Sequence, residues 1–213
     1  MKKIFLAAGF FFIFSCKNDK DKKAHQSSVS PDSMIVKKDS LPTGTTDPVD
    51  QIKQEYNTLQ AELQAKKLNS SGFTYNCNEE PEGEVTFYSD KGEIRVIEHF
   101  FAEHSHFSAS EKYFIINGKP FFIFREETVW NFDGGTPEKP ITKDDITEIR
   151  ISLQNGKVLK SLKKKYSIKS DDKEKTDPDK IVSKEIQYHP DELLTTYQLL
   201  LKHKNQKGEI KCL

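Results

Sequence analysis

The sequence predicts an α+β fold: an antiparallel β-meander of about six or seven strands, with an N-terminal and a C-terminal helix packed on one face of the sheet. Three observations support this prediction. Apolar residues recur at helical spacing over residues 48–68, and the pattern changes to strand-like alternation from Gly72. Three later stretches place a Lys-Gly or Asn-Gly pair between apolar runs, and helical spacing returns after Pro190.

Residues 1–16 are predicted to be a lipoprotein signal peptide. A basic start, Met1-Lys2-Lys3, precedes an apolar run over residues 4–14, which is shorter than the roughly 20 residues of a transmembrane helix. The run leads into Ile13-Phe14-Ser15-Cys16. This motif resembles the lipobox of bacterial lipoproteins, a family in which the cysteine is acylated and becomes the mature N-terminus. The resemblance implies lipidation of Cys16; the alternative is a buried helix with an incidental cysteine.

Residues 17–46 are predicted to be a disordered polar tether. They are rich in Lys, Asp, Ser, Thr and Pro and hold no periodic apolar pattern. A flexible coil of this length spans about 30 Å on average. Acyl chains on Cys16 would therefore attach the protein to the lipid bilayer and leave the domain at a distance from it. The expected location is the bacterial cell envelope, at the outer membrane, on its periplasmic face or at the cell surface.

The cysteine count bears on disulfide formation, and the charge balance bears on the class of binding partner. If Cys16 carries lipid, Cys77 and Cys212 are left, and an exported chain favours one disulfide between them; two free thiols are the alternative. Lys+Arg and Asp+Glu both number 33, so the formal net charge is zero. This balance gives no overall positive charge that would attract nucleic acid. We expect no nucleic-acid partner and a monomeric protein.

Residues 47–213 are predicted to be one globular domain that begins with an amphipathic helix. Asp47 suits the N-cap and Pro48 the first helical position. The apolar stripe of this helix consists of Val49, Ile52, Tyr56, Leu59 and Leu63. The stripe favours packing on the domain over a coiled coil, because Lys66 stands where the next apolar residue would fall.

Three hairpins and a second helix complete the predicted domain. The hairpin sequences are EVTFYSDKGEIRVIEHF, EKYFIINGKPFFIFREE and TEIRISLQNGKVLKSLKKK, with turn glycines Gly92, Gly118 and Gly156. Asn-Gly between apolar runs is a strong hairpin signal, because both residues tolerate positive φ. GFTYNC is a candidate leading strand, and PDELLTTYQLLLKHK is the predicted C-terminal helix.

Two groups of residues are candidate binding sites. His104 and His106, two apart on an extended chain, would point the same way and could share a metal ion with Glu98 or His189. The alternatives are an exposed loop or a pH-responsive role. Trp130 and Phe132 adjoin a Gly/Pro-rich loop over residues 133–140, which indicates either a contact surface or a core tryptophan at the end of a strand.

No motif for catalysis or cofactor binding stands out. The chain has no Gly-x-Ser-x-Gly nucleophile motif, no Walker A sequence and no dinucleotide fingerprint. Neither Cys77 nor Cys212 is placed as a thiolate nucleophile. We therefore expect no enzyme activity, no catalytic residue and no cofactor.

Two family resemblances bear on function as well as on the expected location in the cell envelope. EKYFIINGKPFFIFREE and TEIRISLQNGKVLKSL, with the lipobox, resemble a group of uncharacterised Bacteroidota lipoproteins that join a polar linker to a β-meander. Tyr75-Asn76-Cys77, Cys212 and the SASEKY segment at 108–113 are similar in layout to periplasmic lipoprotein inhibitors of lysozyme. The sequence thus predicts a membrane-anchored binding or scaffolding protein of the envelope, with an unidentified envelope protein or ligand as partner. The alternatives are an inhibitor of a lytic enzyme, or an envelope metal-binding protein or unrecognised enzyme.

Overall fold

The computed structural model describes residues 47–78, 80–174 and 176–213. The signal peptide and tether predicted for residues 1–46 lie outside the described residues. The helices are α1, Pro48–Gln64, and α2, Asp191–Lys202. The strands are β1 Asn69–Asn76, β2 Glu82–Asp90, β3 Glu93–Glu103, β4 Phe107–Ile116, β5 Lys119–Thr136, β6 Lys139–Gln154, β7 Lys157–Lys169, β8 Lys184–Glu185 and β9 Gly208–Ile210.

All nine described strands lie in one sheet, in the order β8-β7-β6-β5-β4-β3-β2-β1-β9. Strands β1 to β7 form a continuous antiparallel meander, which confirms the predicted α+β class and the antiparallel sheet. The strand count is nine rather than six or seven, because a short strand is added at each edge. Strand β8 pairs antiparallel with β7, and β9 pairs parallel with β1.

The three predicted hairpin turns are present. Each turn has two residues with positive φ: Lys91-Gly92, Asn117-Gly118 and Asn155-Gly156. This is the backbone geometry of the type I′ turn, whose twist matches the right-handed twist of the flanking strands. The local sequence therefore sets the register of the β2–β3, β4–β5 and β6–β7 pairs.

The prediction that both helices pack on one face of the sheet is wrong. Leu59 of α1 packs with Val96, while α2 packs in a separate cluster that contains Ile97. Since consecutive residues of a strand point to opposite faces, α1 and α2 cover opposite faces. The physical reason is that the central strands carry adjacent apolar residues, including Tyr113-Phe114-Ile115 on β4, so both faces need cover.

The two cores differ in extent. The core under α2 crosses the sheet and consists of Phe73, Tyr75, Val85, Phe87, Ile97, Tyr113, Ile115, Ile123, Ile149, Ile151 and Leu153, with Leu193, Tyr197 and Leu200 of the helix. The core under α1 contains Leu59, Val96 and Phe114, with partly buried aromatic neighbours. The α2 side therefore supplies most of the buried apolar surface among the described residues.

Helix α1 starts as predicted and ends earlier. The Asp47 carboxylate accepts a hydrogen bond from the Val49 amide, which is the predicted N-cap. The helix ends at Gln64 rather than at residue 68, and Lys66 has a φ of 52° that a continuing helix would not allow. Neither α1 nor α2 is long and apolar enough to cross a membrane, and no other described helix is.

Candidate functional site

A disulfide joins the two ends of the described domain. The parallel register pairs Phe73 with Gly208 and Tyr75 with Ile210, so Cys77 and Cys212 each lie two residues beyond a paired position. The structure places their sulfur atoms 1.97 Å apart, with a sequence separation of 135 residues. Strand β9, which the sequence did not predict, is what brings the predicted cysteine pair together.

A line of buried polar side chains crosses the sheet beside this disulfide. The Tyr75 hydroxyl lies 2.9 Å from Nε2 of His99, and Nδ1 of His99 lies 3.3 Å from Oε2 of Glu111. Tyr75 and His99 are 4% and 3% exposed, and Glu111 is 1% exposed. These groups come from β1, β3 and β4, so the antiparallel pairing of the meander brings them into contact.

Two further side chains complete the hydrogen bonding of Glu111. The Tyr113 hydroxyl donates to Oε2 at 2.6 Å, and Nη1 of Arg125 donates to Oε1 at 2.7 Å. Nε of Arg125 donates to Glu127 at 2.8 Å, and its Nη1 lies 3.8 Å from Glu192 of α2. Arg125 therefore balances a buried carboxylate and connects the network to the surface.

The pKa shifts indicate which groups of the network carry charge. Burial raises the pKa of Tyr75 and of Tyr113, and the negative charge of Glu111 raises both further. Burial opposes ionisation of Glu111, but hydrogen bonds from His99 and Tyr113 and the charge of Arg125 outweigh it, so the pKa of Glu111 is lowered. The carboxylate is thus ionised and both phenols keep their protons.

These protonation states limit what the network can do chemically. The protonated Tyr75 hydroxyl shares a hydrogen bond with Nε2 of His99, and Nδ1 of His99 faces Glu111. A hydroxyl, a histidine and a carboxylate linked in this order have the connectivity of a catalytic triad, in which the hydroxyl is the nucleophile. Burial and the charge of Glu111 raise the pKa of Tyr75, so its phenol is not ionised at neutral pH.

A cleft of about 350 Å³ lies against this network, next to Cys77. Tyr75, His99 and Arg125 form part of its wall, with the rings of Phe101 and Phe107. The ring centroids of His99 and Phe101 are 5.0 Å apart in a stacked arrangement. The wall also contains Glu103, Thr196 and Leu199, so the cleft offers a ligand a mixture of polar and apolar surface.

The sequence contained a signal for the network that was missed. In β3 and β5, His99 and Arg125 stand two residues after the fully buried Ile97 and Ile123. Period-two alternation puts such residues on the same buried face. A histidine, a glutamate and an arginine at core-facing positions of three neighbouring strands therefore predict a buried ionic network.

The predicted metal pair His104 and His106 has two different sets of partners. Nδ1 of His104 lies 2.7 Å from a carboxylate oxygen of Glu80, and its side chain is 84% exposed. Nδ1 of His106 lies 3.0 Å from the Trp130 carbonyl. Predicted co-ligand Glu98 pairs instead with Lys112 at 2.7 Å. No group of three or more His, Cys, Asp or Glu side chains suited to a metal occurs among the described residues.

The predicted contact residues Trp130 and Phe132 form an aromatic patch with His106. The centroids of His106 and Trp130 are 4.0 Å apart, and those of Trp130 and Phe132 are 5.3 Å apart. The indole N–H of Trp130 donates to the Ser105 carbonyl. Phe132 is 67% exposed. The patch is thus fixed by the β3–β4 turn on one side and faces solvent on the other.

The aromatic patch lies at the base of a projecting hairpin, which we call the β-arm (residues 131–141). The predicted Gly/Pro loop over 133–140 is the tip of this hairpin, and β5 and β6 continue into it. The pairing of β4 with β5 stops at Val129, and the pairing of β6 with β7 stops at Lys143. Residues 131–140 are all exposed, so no described strand flanks the arm on either side.

The SASEKY segment has a structural role. It lies within β4, between β3 and β5. Its alternate residues Ala109, Glu111 and Tyr113 are buried. The segment is therefore part of the sheet and of the buried network, and does not form a projecting loop.

Comparisons with known proteins give no match for this chain. No family model, no curated protein and no solved structure matches it. The resemblances to Bacteroidota lipoproteins and to lysozyme inhibitors therefore stay predictions from the sequence.

Proposed function

We propose that this protein is a lipid-anchored binding or scaffolding module of the bacterial cell envelope, with no catalytic activity. The lipobox-like Ile13-Phe14-Ser15-Cys16 supports the anchor. The disulfide between Cys77 and Cys212 supports an exported chain, because such bonds are rare in the reducing cytosol. A non-catalytic role is supported by the sequence, which carries no Gly-x-Ser-x-Gly, Walker A or dinucleotide motif.

The observation that carries the proposed binding role is the position of the aromatic patch relative to α1. Pro48 and Gln51 of α1 lie beside the turn residues Asn117 and Asn155, at one end of the sheet. Strand β5 leaves that end and runs for 18 residues to the tip of the β-arm. At about 3.3 Å per residue, this is a distance of about 60 Å. The patch therefore lies toward the end of the sheet that is remote from the start of α1.

This arrangement suits a protein that is held at one end and makes contact at the other. A tether that joins the domain at Asp47 would attach near the turns, and the β-arm would face away from the point of attachment. An isolated two-stranded hairpin is only marginally stable in water. A partner that covers Phe132 and pairs with the arm would bury apolar surface that is now exposed, which is a favourable source of binding energy.

The contact role is tested by site-specific photocrosslinking in intact cells. A photoreactive phenylalanine analogue is placed at Phe132 in one full chain and at Val182 in another. Val182 is a matched control, because it is 82% exposed and apolar but lies in the loop before β8. We expect a discrete envelope-protein adduct from position 132 and none from position 182. The same adducts from both positions, or none from either, would contradict the contact role.

The anchor is tested separately by the intact mass of the protein extracted from membranes. Acylation should appear on Cys16, and the Cys16→Ser variant should lose its membrane association. A mature chain with an unmodified Cys16 thiol would rule out the lipid anchor and leave the crosslinking result unaffected.

A further inference from the structure

A second cavity lies on the opposite face from the buried network, between α1 and the sheet. This groove has a volume of about 420 Å³, which falls within the usual range of small-molecule sites. Its apolar walls are Val49, Ile52 and Tyr56 from α1, with Phe122 and Leu162 from the sheet. No aspartate or glutamate lines it.

The groove lies under the first turns of α1, where Ile52 is the one buried residue. Leu59, in the second half of the helix, is fully buried against Val96 and Phe114. The Tyr56 ring lies between the packed half and the groove, with its centroid 4.9 Å from that of Phe114 and 4.8 Å from that of Phe122. The first turns of α1 therefore roof the groove, and Val49 is only partly buried.

The polar rim of the groove is cationic. It contains Lys53, Arg150 and Lys160. Their carboxylate partners all lie outside the groove lining: Asp50 at 2.8 Å from Lys53, Glu148 at 2.6 Å from Arg150 and Glu185 at 3.5 Å from Lys160. Glu148 is shared, since Lys164 also contacts it at 3.0 Å. Glu126 also interacts with Glu148, Lys164 and Arg150, so carboxylates around the groove offset the cations overall. The groove lining itself still holds three cations and no carboxylate.

Two of these cations are placed to hold a single carboxylate. The β6–β7 register pairs Arg150 with Leu162 and Ser152 with Lys160, so both cations lie on the same face in adjacent rows. The guanidinium carbon of Arg150 lies 5.3 Å from the centroid of the Phe124 ring, a cation–π contact. A guanidinium has five N–H donors, and Glu148 does not exhaust them.

We propose that this groove binds one molecule of a free long-chain fatty acid. The alkyl chain lies between α1 and the sheet, along Ile52, Tyr56 and Phe122, and the carboxylate pairs with Arg150 and Lys160. One chain fits better than the two chains of a phospholipid, because the volume is near the lower end of the usual range. The inference does not depend on the β-arm or on its partner.

The test is a titration of the full chain carrying Cys16→Ser, so that no acyl chain of its own is present, with the fluorescent fatty acid cis-parinaric acid. We expect saturable binding of one molecule per chain. Arg150→Gln should weaken binding about tenfold, because it removes a charge-assisted hydrogen bond. Lys160→Gln, at a more exposed position, should weaken it about threefold. The matched control is Arg95→Gln, since Arg95 lines a different cavity, and it should leave affinity unchanged.

The controls separate the groove from general adsorption and from unfolding. The methyl ester of the same probe has no carboxylate, so its binding should be weaker than that of the acid and insensitive to Arg150→Gln. Thermal melting shows whether Arg150→Gln folds; if it does not, Lys160→Gln decides the question. Absence of saturable binding, or an equal loss of affinity in Arg95→Gln and Arg150→Gln, would overturn the proposal. Failure here would leave the crosslinking result at Phe132 untouched.

Discussion

Replacing Tyr113 by phenylalanine tests the buried network with little change in packing. The Tyr113 side chain is 0% exposed, and its hydroxyl donates to Oε2 of Glu111 at 2.6 Å. The substitution keeps the ring and removes one hydrogen bond to an ionised acceptor. Such bonds contribute about 1.5–3 kcal/mol to stability. We expect Tyr113→Phe to lower the free energy of unfolding by that amount at pH 7.

Tyr197 provides a matched control, because it is also buried and also donates its hydroxyl hydrogen. It is 1% exposed, and its hydroxyl donates to the Gly118 carbonyl at 2.9 Å. The acceptor is neutral, so Tyr197→Phe should cost only about 0.5–1.5 kcal/mol. Urea denaturation of both variants, followed by circular dichroism, measures the difference. Equal losses would refute the inference that Glu111 is an ionised acceptor.

The same pair of variants should respond differently to pH. The pKa of Glu111 is lowered in the folded protein. Its ionisation therefore stabilises the fold above the unfolded value of about 4.3, and this contribution is lost as pH falls through the lower folded value. The destabilisation by Tyr113→Phe should shrink as the pH is lowered below about 4. The effect of Tyr197→Phe, whose acceptor does not titrate, should stay constant.

Three further substitutions test the rest of the framework by the free energy of unfolding. Cys212→Ser opens a loop of 135 residues and should cost about 5 kcal/mol in the chain-entropy model; a change below about 1 kcal/mol would count against the cross-link. Leu59→Ala should cost about 2–5 kcal/mol, since the side chain is fully buried under α1, whereas Leu159→Ala, at 40% exposure, should cost less than about 0.5 kcal/mol. Gly83→Ala would put a Cβ 2.5 Å from the Phe100 carbonyl oxygen and 2.6 Å from the Tyr75 hydroxyl. The substitution should lower the free energy of unfolding by about 1–3 kcal/mol and shift the NMR signals of His99. Unchanged His99 signals would contradict the close packing.

The parts of the fold that could be predicted from sequence are those fixed by local backbone chemistry. Asn117-Gly118 and Asn155-Gly156 specify type I′ turns by themselves, so the hairpins followed from a few residues each. The N-cap at Asp47 is equally local. The pairing of Cys77 with Cys212 followed from counting cysteines, although the strand that aligns them, β9, has only three residues and carries no signal of its own.

The placement of the helices depended on tertiary packing and was predicted wrongly. An amphipathic helix shows which of its own sides is apolar, but it does not show which face of a sheet it covers. Consecutive buried residues such as Val96 and Ile97 indicate a strand that is buried on both faces. The prediction treated the sheet as buried on one face, and so it placed α1 on the side that α2 occupies.

The candidate sites also divide into those that local sequence indicates and those that depend on tertiary packing. Trp130 and Phe132 could be named from sequence because large aromatic residues beside a loop are conspicuous. The contacts of His104 and His106 could not, because partners such as Glu80 are brought close only by the folded sheet. The alternation of β3 and β5 marked the positions of the buried network, but its pairings depend on the fold: Glu111 and Arg125 are 14 residues apart in the chain and become partners through the β4–β5 register.

The unequal packing of the two helices has a consequence for how the domain would respond at the end where α1 begins. Helix α2 is held by the larger core, and Glu192 links it to Arg125. Helix α1 buries only Ile52 and Leu59, packs in a smaller core around Leu59, and its first turns roof a groove. Elements with few buried contacts open at lower free energy than the core. Because the tether would join the chain at Asp47, a force or ligand acting there reaches first the element that opens most easily, while the disulfide and the buried network belong to the side of the sheet with the larger core.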